Sequence, residues 1–510
     1  MLRKLGTVSG LTLASRIFGF LRDILLAATL GAGPMADAFM LAFRLPNHFR
    51  AIFAEGAFNA AFLPTWTATD ARGGDTPTLG AQVLGWLVLA NIALFALAVG
   101  ATGWMLSVLA PGLTSADPTW PVTVTLTRIT FPYLLCMSLV AFLSALLNAR
   151  DRFAAAAGAP ILLNLSMLAT LLLGDHFPSV AHAAAWGVLI AGLAQVGVLA
   201  IAAVRAGIDL PRPRLGLSPA TGTFFRRLGP AVLTAGALQI AIFADTVIAT
   251  FLPTGSLSQL YYADRIYQLP IGLLGVALGT VILPEIGRRA ALGDDEGMRR
   301  VLDRALTICL FVGAPITVIM ALLGDWAIQI LFVRGAFGHE EARASAQILT
   351  AYAVGLVPAL GVRSAVAAFH GRGDTRTPLT LLVAATAVNL ALKLVLAPVL
   401  GAEGLALATS AGVGLYAALL IRTGRRRGYI RGPRALAVVV VALTALTSAV
   451  WLFRYRAAIL DAAGSLFAPV ALPLAFLGIS LAIIAVHGLA AWTVWIWQLR
   501  RVRRGSVPEK

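Results

Sequence analysis

Charge is scarce in this chain. Only 12% of its 510 residues are Asp, Glu, Lys or Arg, while 59% are hydrophobic, and the mean hydropathy is +0.85. Soluble proteins carry about 25% charged residues, so a water-surrounded globule is excluded. Cysteine is scarcer still. Cys136 and Cys309 both fall inside long apolar runs, which excludes a disulfide framework. The six histidines show no metal-ligand spacing, and no metal site is expected. No Gly-rich loop ends in Lys-Ser/Thr, so the sequence offers no phosphate cradle for ATP hydrolysis, and no other catalytic constellation is visible. Neither an enzyme nor a resident cofactor is expected. Apolar/polar alternation of the kind a membrane barrel needs is also absent, which leaves helices as the spanning elements. The first apolar run continues past Arg22 without a small-residue cleavage pattern and reads as a retained span.

What is present is a succession of apolar runs of about 20 residues, each long enough to cross a hydrocarbon core of about 30 Å. The expected fold is an all-α integral membrane protein of about 14 transmembrane helices. The predicted spans are 5–30, 34–67, 81–109, 121–149, 156–175, 180–205, 226–252, 260–288, 303–328, 344–371, 377–399, 403–423, 434–454 and 470–498. Basic residues sort by side. About 28 lie at the termini and in even-numbered connections, against about four (Arg334, Arg343, Arg454, Arg456) in the opposite loops. The positive-inside rule then places both termini in the cytoplasm. That asymmetry accounts for the net charge of +17, so nucleic acid is not an expected partner. The tail "LRRVRRGSVPEK" reads as an anchor to lipid headgroups.

The longest polar break, "AGIDLPRPRLGLSPATGTFF" (206–225), divides six spans from the next eight. The segment 131–160 faintly resembles 352–378: each is a span ending in a short basic loop, with Pro opening the next. A duplicated transporter has this pattern. The expected organisation is an N-terminal lobe (1–206), a cytoplasmic linker (207–225), a C-terminal lobe (226–424), two appended helices (434–498) and a basic tail (499–510). Two pseudo-symmetric six-helix lobes would then flank a central cavity.

The stretch "SRIFGFLRD" (15–23) sets Arg16, Arg22 and Asp23 inside the first span. A charge at bilayer depth costs at least about 2.5–3.5 kcal/mol, so such residues face a protein interior or an aqueous cavity. Arg44, Arg50, Arg128, Arg265, Arg363 and Lys393 also lie within spans, with Asp37, Glu55, Asp245 and Asp264 as acidic counterparts. Helical spacing puts Arg16 and Asp23 on one face, and likewise Asp37 and Arg44. Pro46 is expected to kink the second span, and Pro270 with Gly272 to break the eighth. Gly19 permits a close approach to the first span. The Gly-rich "LGAGP" (30–34) reads as a hinge or as a helix cap and turn. Arginine exceeds carboxylate among the buried charges, and guanidinium binds phosphate through paired hydrogen bonds. The cavity therefore reads as a site for a large phosphorylated or carboxylated substrate. A cation-exporting cavity would be acidic instead.

At these residues the chain resembles the MurJ/MviN family. The carriers of the resemblance are "SRIFGFLRD" followed by "GAGPMADAFMLAFRLPNHFRAIFAEGAFNAAFLP" (31–64), together with "YYADRIYQLPIGLLGVALGTVILPEIGRR" (261–289), "LFVRGAF" (331–337) and "GRGDTRTP" (371–378). The resemblance covers essentially the whole chain. It implies a lipid II flippase of the multidrug/oligosaccharidyl-lipid/polysaccharide exporter superfamily, in the bacterial cytoplasmic membrane. Such a protein moves undecaprenyl-pyrophosphate disaccharide-pentapeptide outward for cell-wall synthesis by alternating access, with other cell-wall synthesis proteins as further partners. It implies substrate-binding roles for Arg16, Arg22, Arg50 and Arg265. Asp23, Asp37, Arg44, Glu55 and Asp264 become cavity charges or gating groups, and helices 13 and 14 a groove for the lipid tail.

Two departures stand out. Gln268 occupies a position where the family often has Glu. Asp245 and Asn389 correspond to a sodium site of some members, but Lys393 lies one turn after Asn389. Lys393 either pairs with Asp245 in place of sodium or snorkels to the outer surface. Coupling to the membrane potential or to a monovalent cation is left open. The alternatives are an exporter of another polyprenyl-linked saccharide, a small-molecule antiporter of the same superfamily, and a membrane scaffold.

Overall fold

Long apolar segments fold as helices, because only intrasegment hydrogen bonds satisfy the backbone in lipid. The computed structural model describes residues 2–52, 57–432, 435–467 and 470–504, and among these there is no strand. The chain enters as α1 (Leu2–Leu30), α2 (Pro34–Ile52), α3 (Phe58–Asp70), α4 (Thr76–Gly100), α5 (Thr102–Leu109), α6 (Trp120–Thr130), α7 (Pro132–Ala149), α8 (Ala154–Leu172) and α9 (Val180–Arg205). It continues as α10 (Pro219–Ala249), α11 (Ser256–Ala291), α12 (Asp295–Phe332), α13 (His339–Ala353), α14 (Leu356–His370), α15 (Arg376–Arg426), α16 (Ala435–Phe467) and α17 (Ala471–Arg504).

Several expected spans are broken. The third divides at Ala101 into α4 and α5, and the fourth at Phe131, just ahead of Pro132. Proline favours a first turn and disfavours an interior position. The tenth is two helices, α13 and α14, bent by 41°. The eleventh and twelfth meet inside α15 at Gly401, whose φ of 58° and ψ of −136° suit glycine alone. The eighth corrects an expectation. α11 runs unbroken through Pro270, Gly272 and Pro284, since packed membrane helices absorb a proline without ending. Pro46 lies inside α2, whose helix runs on to Ile52.

Among the described residues, eight helices are long and apolar enough to cross a membrane, with α6 and α7 taken together as one, and nine if the bent pair α13–α14 counts as one span. α1, α2 and α11 fall outside that set, and they carry Arg16, Arg22, Asp23, Asp37, Arg44, Asp264 and Arg265.

Two compact units result: Met1–Ser258 with Arg334–Gly338, and Gln259–Val333 with His339–Lys510. In the first, Phe58, Phe62, Phe142 and Phe224 form an edge-to-face aromatic core with Leu79 and Leu146. α10 packs on α2, α3 and α4 within this unit. The extended run ahead of α10 is strapped across α4: the Arg214 backbone N–H donates to the Ala81 carbonyl, and the Trp86 indole to that of Gly216. In the second unit, Phe369, Leu302, Met298 and Leu420 centre a core of α11, α12, α14 and α15. α16 and α17 pack on α12 through Leu452, Ile479, Val318 and Trp326. Arg456, expected in an outer loop, lies in α16, where it donates to the Leu322 carbonyl at 2.8 Å and pairs with Asp325.

The turns carry a duplication more clearly than the helices do. Gly31, Gly73, Asp151 and Gly207 have left-handed φ, and so do Gly255, Gly293, Gly373 and Gly428, each 220–224 residues further on. Three of these pairs share their hydrogen bonds as well. Arg152 N–H bonds to the Leu147 carbonyl as Asp374 N–H does to that of Phe369, Gly74 to Thr69 as Asp294 to Arg289, and Ile208 to Ala203 as Tyr429 to Gly424. This six-to-one closure is the Schellman motif, which ends a helix on a left-handed residue. Carboxylates then start the following helices. Asp75 accepts from Thr78 N–H, Asp294 from Gly297 and Asp374 from Thr377, and each carboxyl is held below its ordinary range mainly by hydrogen bonds.

Candidate phosphate-binding residues

Arg22 and Asp23 are 6% and 2% exposed on α1. The guanidinium donates to Asp23 Oδ1 from Nη2 at 2.7 Å and from Nε at 3.1 Å, and from Nη1 to Asn164 Oδ1 on α8 at 3.0 Å. Asn164 in turn donates to the Ser15 carbonyl at 2.8 Å. Gly19 faces this amide, and a Cβ there would lie at contact distance, 3.4 Å from Asn164 Nδ2. The closest neighbour of Gly19 is thus a side chain of the same unit. A buried arginine held at fixed geometry is pre-organised, and its desolvation is offset by the adjacent carboxylate. Arg16, one and a half turns earlier, is exposed. It has no ion-pair partner among the described residues, and Asp23 pairs with Arg22.

Asp37 on α2 accepts from Gly255 N–H at 2.6 Å, from Ser258 N–H at 2.8 Å and from the Ser258 hydroxyl at 2.7 Å, at the opening turn of α11. Arg44, two turns along, donates to Thr246 of α10 at 3.2 Å. Both side chains therefore tie α2 to the α10–α11 corner. The "LGAGP" segment is a cap and turn. Gly31 has a φ of 68° and packs against the Ala336 carbonyl, where a Cβ would lie 2.5 Å away. Ala336 N–H bonds to the Ala28 carbonyl at 2.7 Å, which gives "LFVRGAF" its structural role.

In the second unit, Asp264 and Arg265 are half-buried on α11. Arg265 donates to the Tyr261 hydroxyl at 3.0 Å and lies over that ring, 4.4 Å from its centroid. Gln268 donates its amide to Asp264, a bond a glutamate could not make without protonation. Asn389 and Lys393 are 7% and 1% exposed on α15, whereas Asp245 belongs to α10 of the first unit. Burial to that degree rules out snorkelling by Lys393. Arg128 is exposed and donates to Thr102 at 3.1 Å, and Arg363 is exposed. Arg50 sits in the last turn of α2 with its side chain outside the described residues, as is all of Glu55. Sequence reasoning missed Asn164. A lone Asn in the apolar run "AAAAGAPILLNLSMLATLL" was the available signal.

A model of the lipid II flippase MurJ family matches residues 26–490. The chain belongs to that family. Among MurJ relatives, a probable lipid II flippase of Rhizobium tropici is 39% identical over 439 residues, covering 84% of this chain and 82% of the relative. One from Rhizobium meliloti is 37% identical over 468 residues (89% and 87%). The lipid II flippase MurJ of Burkholderia cenocepacia is 31% identical over 441 residues, 84% of each chain. The fold is that of a MurJ structure in an inward closed conformation, with a TM-score of 0.81, 22% identity and coverage of 96% and 99%. The fold also matches that of a multidrug resistance MATE family transporter in an inward-facing conformation, with a TM-score of 0.69, 13% identity and coverage of 81% and 94%.

Proposed function

We propose that this protein translocates lipid II from the inner to the outer leaflet of the bacterial cytoplasmic membrane, for peptidoglycan synthesis, by alternating access with both termini cytoplasmic. The observation that carries the reading is a buried, fixed arginine, Arg22, on α1 of a chain that matches the MurJ family along nearly its full length. Arg16, Arg22, Arg50 and Arg265 take the pyrophosphate oxygens, since guanidinium supplies paired donors and permanent charge. Asp37 and Arg44 act on conformation through the α10–α11 corner they hold. Helices α16 and α17 carry the polyprenyl tail. Lys393 supplies a fixed positive charge where a coupling cation would otherwise sit, and the membrane potential then drives the reset.

The test is rescue of a host depleted of its own lipid II flippase. The parent chain restores growth and wall synthesis. Failure of the parent at normal membrane levels would shift the substrate to another polyprenyl-linked saccharide. Arg22 has a structural load, so its informative variant is Arg22→Lys, which keeps the charge and loses the fork. Arg16→Ala perturbs no pairing and reads substrate contact alone.

A further inference from the structure

The first unit holds a cavity of about 670 Å³ that the flippase reading does not use. It lies where the ends of α7 and α9 meet the starts of α1 and α8. Its walls are apolar, and Phe153, Val198 and Ile201 remain 37%, 43% and 54% exposed. Arg152, Arg205 and Asp151 complete the lining. Neither arginine has a carboxylate partner among the described residues. The Schellman turn that closes α7 on left-handed Asp151 fixes the backbone from which Arg152 projects. α8 opens on Phe153, whose ring supplies no capping acceptor, so the first amides of α8 border the same space.

We infer that this cavity binds an anionic phospholipid of the bilayer. Two guanidiniums and one carboxylate leave a net charge of +1 on the lining, which matches one phosphodiester with an uncharged headgroup. The apolar face of α9 continues away from the cavity through Leu193 and Ile190, 60% and 45% exposed, and gives the acyl chains a wall to follow. Basic pockets between transmembrane helices on the cytoplasmic side recognise phospholipid headgroups by this combination of charge and apolar wall. A free phosphate would use the arginines and leave the apolar surface unfilled. The site depends only on the chain being in a membrane, so it stands or falls apart from the flippase reading.

The test uses the full chain in detergent, with native mass spectrometry counting retained phosphatidylglycerol against phosphatidylcholine of the same acyl chains. The parent retains phosphatidylglycerol preferentially. Arg152→Gln/Arg205→Gln lowers that preference about 30-fold, about five-fold for each arginine near an anionic phosphate. Arg226→Gln/Arg304→Gln removes the same charge from exposed positions elsewhere and leaves the preference unchanged. Phosphatidylglycerol with a photoreactive acyl chain labels peptide 190–205 of the parent. Equal loss in both double variants, displacement by soluble glycerol phosphate, or labelling elsewhere would overturn the site.

Discussion

Arg22 shows what a buried charge can and cannot be asked to do. Its hydrogen bonds to Asp23 and Asn164 give the guanidinium a fixed position, and they also make it structural. Removing one partner of a buried pair leaves the other uncompensated, at about 3–5 kcal/mol. Asp23→Asn should therefore destabilise by that amount in thermal or denaturant unfolding. Asn164→Ala should cost about 1–3 kcal/mol, the penalty of one unsatisfied buried hydrogen bond. A stability unchanged by both would mean that the arginine is held by substrate or lipid alone. Lys393 makes a second case at this scale. At 1% exposure its charge is enclosed by protein. Lys393→Ala should make transport depend on added sodium, and transport indifferent to sodium in that variant would remove Lys393 from the coupling account.

At the scale of elements, the turns are more informative than the helices. Gly335 has a φ of 57°, and a Cβ there would sit 2.1 Å from the Ala28 carbonyl, against the end of α1. Gly335→Ala adds both backbone strain and a clash, and should lower stability by about 2–5 kcal/mol. Gly293 has a comparable φ of 67° but open space around it, so Gly293→Ala should cost only the strain, about 1–2 kcal/mol. Comparing the two variants by unfolding separates packing from conformation, and equal losses would show that the α1 contact contributes nothing. Neither outcome was legible from the prolines: the span that breaks ahead of Pro132 was expected whole, and the one expected to break at Pro270 is whole. A sequence displays the proline but not the neighbouring helices that hold α11 together through Pro270.

At the scale of the molecule, the helical class was legible from composition, because lipid admits few alternatives. The duplication was only faint in the residues, since apolar positions drift freely among Leu, Val and Ala. It is plain in the turns, where a left-handed backbone restricts what can replace glycine. Candidate charges were legible as types out of place, but their partners were not. Asn164, Thr246 and Ser258 lie roughly 140 to 220 residues from the groups they bind, and local spacing does not encode such pairings. The central claim is that arginine recognition of pyrophosphate drives lipid II across the membrane. It is tested most directly by the outer-leaflet exposure of lipid II in flippase-depleted cells that carry either the parent or Arg265→Ala at matched levels. Arg265 is half-buried on α11 and donates to the Tyr261 hydroxyl of the same helix, and the membrane level of the variant is matched to that of the parent. Restored exposure with the parent and a loss of about ten-fold or more with the variant is the predicted result, the weight of one charge-assisted hydrogen-bonding group. Equal exposure with both would contradict the arginine mechanism.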